Sequence, residues 1–211
     1  MKLNINKVNW PEQFPYCPET SVEIDNNHEF LFLKYTVKGE QLRAATVEDQ
    51  GPVWEDSCVE FFCQVPGDRH YMNFETNCVG AMVASRRLGR DEDVQPLPPE
   101  EMALIERKCT FPRQPIAEKD GIFEWTVELR IPLKLIFRNV QSQGASSCAS
   151  SSTQHAEDSS LTGLAFPLKL RANFYKCADM TKRPHFVSWQ PIDLPKPNFH
   201  CPEFFGEITL N

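Results

Sequence analysis

The chain has 211 residues, 41% of them hydrophobic, which suffices for one sizeable domain with a packed core and falls short of two. Twenty-two Lys and Arg stand against twenty-nine Asp and Glu, a net charge of -7, and this argues against a nucleic-acid partner, whose affinity comes from clustered basic residues. No run approaches the ~18 consecutive apolar residues of a membrane-spanning helix, so no membrane span is expected.

The opening MKLNINKVNWPEQF has no apolar stretch behind its lysine and does not read as an export signal. Eight cysteines lie scattered at 17, 58, 63, 78, 109, 148, 177 and 201, with no CxxC pair. Together these features favour reduced, mostly structural thiols and a cytoplasmic setting. Period-two alternation bounded by Pro, Gly, Asn and Asp then predicts strands near 29–37, 42–48, 57–65, 70–79, 82–88, 123–131, 168–176, 185–189 and 206–210. Helix is expected only as short turns, in PPEEMALIER at 98–107 and PLKLIF at 132–137. The serine-rich stretch 139–162 has almost no large apolar residue to offset its ordering entropy and is expected to be an exposed loop inside one 1–211 domain. The predicted fold is all-β, an antiparallel β-sandwich of jelly-roll type.

Alternation also sorts side chains by face. In VWEDSCVEFF at 53–62, with Cys63 behind it, Val59, Phe61 and Cys63 form one apolar face, and Trp54, Asp56, Cys58, Glu60 and Phe62 share the other. In HYMNFETNCVG, Met72, Phe74, Thr76 and Cys78 point inward while Asn73, Glu75 and Asn77 point away. A hairpin through the turn PGDR sets the two polar faces side by side, with a tryptophan at the edge of a surface rich in amides and carboxylates. Flat aromatic faces beside hydroxyl-pairing groups are what a sugar ring requires. Farther on, LRANFYKC places Arg171, Asn173 and Tyr175 on one parity, and HFVSWQPI brings a second candidate platform in Trp189.

VWEDSCVEFF, YMNFETNCVGAMVAS, LRANFYKC and HFVSWQPIDLPKPNFHCPEFFGEITL, in that order, resemble the family 9 carbohydrate-binding module-like proteins, particularly the small single-domain members of Bacteroides-type bacteria, within the dopamine-monooxygenase N-terminal-like sandwich superfamily. The resemblance runs from about residue 20 to the end. It implies a non-catalytic sandwich that grips a terminal sugar of an oligosaccharide or polysaccharide between two tryptophans, with an acid, an arginine and an amide on the hydroxyls. Carried over by motif, Trp54 and Trp189 are the walls, Glu60 the acid, Asn173 the amide and Arg86 the arginine, with Arg87 the alternative. Glu75 and Asn77 are weaker additions. Sugar-binding members can hold structural calcium, but no Asp-rich loop here has calcium-ligand spacing, so no metal or other cofactor is expected.

Three rival readings remain open on the residues. Glu60 and Glu75 on neighbouring strands could form the carboxylate pair of a glycoside hydrolase. Met72, Met82, His185 and His200 are candidate axial ligands for haem b. The sandwich could also be a structural or protein-binding module without a sugar site.

Overall fold

The computed structural model describes residues 1–138 and 164–211. The predicted serine-rich loop at 139–162 lies outside the described residues.

Two antiparallel sheets face each other. The first has the order β1 (Lys2–Asn4), β3 (Glu19–Asn26), β4 (Phe30–Ala44), β10 (Ile116–Pro132) and β9 (Glu106–Cys109). The second runs β2 (Lys7–Val8), β12 (Phe186–Ser188), β11 (Leu168–Cys177), β5 (Cys58–Gln64), β6 (Tyr71–Asn77), β7 (Met82–Arg87) and β8 (Gln95–Pro96), with β13 (Gly206–Leu210) on the free half of the β11 edge. Among the described residues helix is confined to short turns, including α1 (Pro99–Met102) and α2 (Leu133–Ile136). The predicted 29–37 and 42–48 strands are one continuous strand, β4, paired along the slightly longer β10. Strands β1, β2, β3, β8 and β9 were not among the predicted ones. All but β3 are four residues or fewer, too short for alternation to register.

The inner faces meet in the core that alternation predicted. Phe74, Phe61 and Phe174 are directly opposed across β6, β5 and β11 and form a stacked row with centroids 6.0 and 5.1 Å apart. Each fully buried Phe of this row contributes roughly 1.5–3 kcal/mol of transfer free energy. The β5–β6 hairpin closes through a turn in which Asp68 N–H donates to the Val65 carbonyl, with Pro66 and Gly67 (φ +87°) at its centre. This positive φ requires glycine, as a type II turn does.

The outer face of the second sheet is covered rather than solvated. Phe62, Tyr71 and Tyr175 project from it and are packed under Trp10, Phe199 and Phe205, which come from the irregular segments before β3 and after β12. Tyr175 stacks on Phe199 at 4.1 Å and donates its hydroxyl proton to the Phe199 carbonyl. A second, smaller apolar cluster therefore lies on the far side of the sheet, and where it stops it leaves a hollow.

Candidate functional site

The hollow has a volume of about 480 Å³, within the range of small-molecule sites. Glu60 and Glu75, directly opposed on β5 and β6, lie in its floor with Cys177 from β11. Trp54, Phe186 and Phe199 supply aromatic lining, and Arg87, Asp179 and His200 add polar groups. Trp54 reaches the hollow from a 3-10 turn, Val53–Glu55, and not from a strand, since β5 starts only at Cys58. Val53 anchors this turn in the outer cluster, and the backbone N–H groups of Asp179 and Met180 donate to the Trp54 and Glu55 carbonyls. The indole is left 37% exposed, the most open of the four tryptophans.

Burial dominates the electrostatics. Desolvation pushes the Glu60 carboxyl well above its usual range, and the Glu75 charge adds to the effect. Glu75 is raised to about 7 by the same desolvation, opposed by Arg87 and by a hydrogen bond from Asn73. Asp179 is raised to about 6, again by burial, with Arg90 acting against it. A hydrogen-bonded row fixes the Glu75 side. Arg87 Nε donates to Ser85 Oγ at 2.9 Å, Ser85 Oγ to Asn73 Oδ1 at 2.6 Å, and Asn73 Nδ2 to Glu75 Oε1 at 2.9 Å. His200 Nδ1 and the Tyr71 hydroxyl share a hydrogen bond at 2.8 Å, and His200 Nε2 lies 4.0 Å from Glu75. Burial and the nearby Arg87 and Arg90 lower His200 to about 3, so the ring is neutral.

A larger concavity, about 840 Å³, lies on the outer face of the first sheet. Its charges satisfy one another, with Lys34 and Lys108 on Glu128, Lys2 on Glu23 and Arg130 on Glu106. It offers a paired, solvated surface instead of a desolvated pocket.

Comparison with known proteins gives this site a context. Residues 1–155 and 153–210 match carbohydrate-binding family 9. This chain belongs to carbohydrate-binding family 9. A crystal structure of a candidate carbohydrate-binding protein from Bacteroides uniformis is similar over 100% of this chain and 86% of that one, with 32% identity and a TM-score of 0.82. Two solved family 9 module structures from Caldicellulosiruptor kristjanssonii share the fold at lower identity. The one in complex with glucose has 13% identity and a TM-score of 0.54, over 99% of this chain and 83% of that one. The one in complex with cellotriose has 15% identity and a TM-score of 0.52, over 97% and 82%. No curated protein sequence matches the chain.

Of the residues that the family 9 resemblance singled out, Trp54, Glu60 and Glu75 come together in the hollow. Trp189 does not join them. It is half-buried against the inter-sheet core, edge-on to Phe174 at 5.8 Å, so the expected pair of facing tryptophans is not formed. Arg86 points to the other side of β7 and donates twice to the Asp68 carboxylate in the hairpin turn, whereas Arg87 enters the hollow. Asn173 is fully buried and staples residue 190 to β11, accepting from the Gln190 N–H and donating to its carbonyl. Asn77 donates to Thr46 and Asp56 and accepts from the N–H groups of Val79 and Ala81, which fixes the β6–β7 turn. The haem candidates do not converge. Met72 and Met82 lie in the inter-sheet core, and His185 is held between Lys176 and the Arg183 carbonyl.

Cys177, Asp179 and Phe199 were not anticipated, and His200 was singled out only as a haem candidate. Parity on β11 puts Cys177 on the same face as Tyr175, and this signal was available. The other three come from irregular segments, where no periodicity announces a direction.

Proposed function

We propose that the chain binds carbohydrate without turning it over, in the hollow on the outer face of the second sheet. The observation that carries this reading is the grouping, in a chain of family 9, of an exposed indole with buried carboxyls, an arginine and a neutral histidine around one accessible cavity. Trp54 offers a flat apolar surface to the C–H face of a sugar ring, and Phe199 takes the supporting aromatic place that Trp189 does not fill. Glu75, Arg87 and Asp179 orient hydroxyls. Burial favours the protonated form of Glu60, a form that can donate a hydrogen bond as well as accept one. The glucose and cellotriose complexes of the related modules make gluco-oligosaccharides the first ligands to try.

Hydrolysis by Glu60 and Glu75 is the competing use of the same residues. A hydrolase needs carboxyl groups flanking a glycosidic bond, with one ionised. Directly opposed residues on one sheet face stand side by side with Cβ atoms roughly 5 Å apart and approach a ligand from the same side. Burial also holds both in the protonated direction.

Calorimetric titration with gluco- and xylo-oligosaccharides tests the proposal. Saturable binding is expected, abolished in Trp54→Ala, with the oligosaccharides recovered uncut after prolonged incubation. Absence of binding across a broad glycan array would overturn it, and release of new reducing ends would replace it with the hydrolase reading.

A further inference from the structure

Antiparallel pairing of β5 with β11 sets Cys58 directly opposite Cys177, and Glu60 projects from the same face two residues along. The two sulfurs and a Glu60 oxygen all lie within 4.8 Å of one another, the one such group of potential metal ligands among the described residues. Cys177 Sγ is 3.0 Å from Glu60 Oε1. Cys58 and Cys177 are essentially fully buried, and Glu60 and Cys177 form part of the floor of the hollow.

We infer that Cys58, Cys177 and Glu60 form a binding site for a thiolate-preferring divalent cation of the zinc class, with its fourth position open to the cavity. Zinc bonds sulfur at about 2.3 Å and carboxylate oxygen at about 2.0–2.2 Å in tetrahedral geometry, so its donors lie roughly 3.5–3.8 Å apart. The observed cluster is within a small rotamer adjustment of that spacing. The soft donors select against calcium and magnesium, which take oxygen ligands. Three protein ligands and one open position are the pattern of an ion that meets an exogenous ligand, whereas purely structural zinc is closed by four.

Ligation uses the thiolate and carboxylate forms of the trio. On binding, each protonated member releases its proton to solvent, and a dication with three anionic ligands carries one net negative charge. Lys176, buried on the opposite face of β11, lies close enough to interact electrostatically with both thiols and with Glu60. The inference stands apart from the sugar proposal, although both place Glu60 in the floor of the same cavity.

The test uses the full chain, reduced, stripped with chelator and titrated with Co²⁺ in the absence of any sugar. A thiolate-to-cobalt charge-transfer band in the near ultraviolet is expected, saturating at one ion per chain and displaced by Zn²⁺. It should vanish in Cys58→Ser and in Cys177→Ser, persist in Cys17→Ser, whose thiol is remote and exposed, and require about tenfold or more Co²⁺ in Glu60→Gln, which retains both thiols. A folded wild-type chain that develops no such band, or a Cys58→Ser/Cys177→Ser double variant that keeps it, overturns the site. Should the serine variants fail to fold, the wild-type titration and Glu60→Gln decide alone. Sugar calorimetry on the chelator-stripped protein is read separately, so the failure of one proposal does not touch the other.

Discussion

Glu75 and His200 face each other across 4.0 Å with oppositely perturbed protonation, and this has consequences for stability. Glu75 titrates near 7 in the folded chain against 4.5 for a free carboxyl, so the stability tied to it is fully present below 4.5 and is lost as pH rises towards 7. His200 titrates near 3 against 6.5. The unfolded chain takes up its proton first, and stability falls as pH drops from 6.5 towards 3. Between 4.5 and 6.5 the two trends oppose. Denaturant melts across that window should show stability declining with rising pH in His200→Gln, where only the carboxyl trend remains. In Glu75→Gln the slope should shift the other way, towards greater stability at higher pH. Parallel slopes in the two variants would show that neither group titrates as its burial dictates.

At the scale of the element, the 3-10 turn that presents Trp54 depends on Asp56. This carboxylate is fully buried and accepts from Arg43 Nη1 at 2.5 Å, from the backbone N–H groups of Ala45 and Thr46, and from Asn77 Nδ2. It ties the end of β4 to the start of β5 and fixes where the intervening turn emerges. Asp56→Ala strands these donors and leaves Arg43 without its ion pair, at a cost of about 3–5 kcal/mol. Sugar affinity should fall as well, although Asp56 does not line the cavity. Chemical denaturation and calorimetry on the same variant check both effects. Strand positions and the two faces of β5, β6 and β11 were legible in the sequence, because alternation is a direct imprint of one buried face. The same alternation could have chosen Arg87 over Arg86, since Ser85 and Arg87 share parity with Val83 on the outer face. Two things were not legible. A face carrying Phe62, Tyr71 and Tyr175 is too apolar for solvent, but nothing periodic in residues 189–205 says that they fold back over it. Nor does the local sequence around Trp189 distinguish a ligand platform from a core residue, because the direction is set by how residue 189 packs against Phe174 on the neighbouring strand β11.

At the scale of the whole molecule, the sandwich separates the task of holding together from that of binding. The inter-sheet core is shared by both sheets, whereas the cavity belongs to one sheet and the segments draped over it. Leu33, on β4 of the first sheet, is 1% exposed and lies wholly within the inner core. Leu33→Ala should cost about 2–5 kcal/mol through lost burial and the cavity left behind. Sugar affinity measured well below the melting temperature should stay within about 0.5 kcal/mol of the parent, because no partner is shared with the site. Phe199 is the converse case. It stacks on Tyr175, closes the outer cluster and lines the cavity, so Phe199→Ala should lower stability and affinity together. If Leu33→Ala weakened sugar binding as much as Phe199→Ala does, the cavity would have to depend on the spacing of the two sheets, and the site could not be the property of one sheet that its geometry makes it.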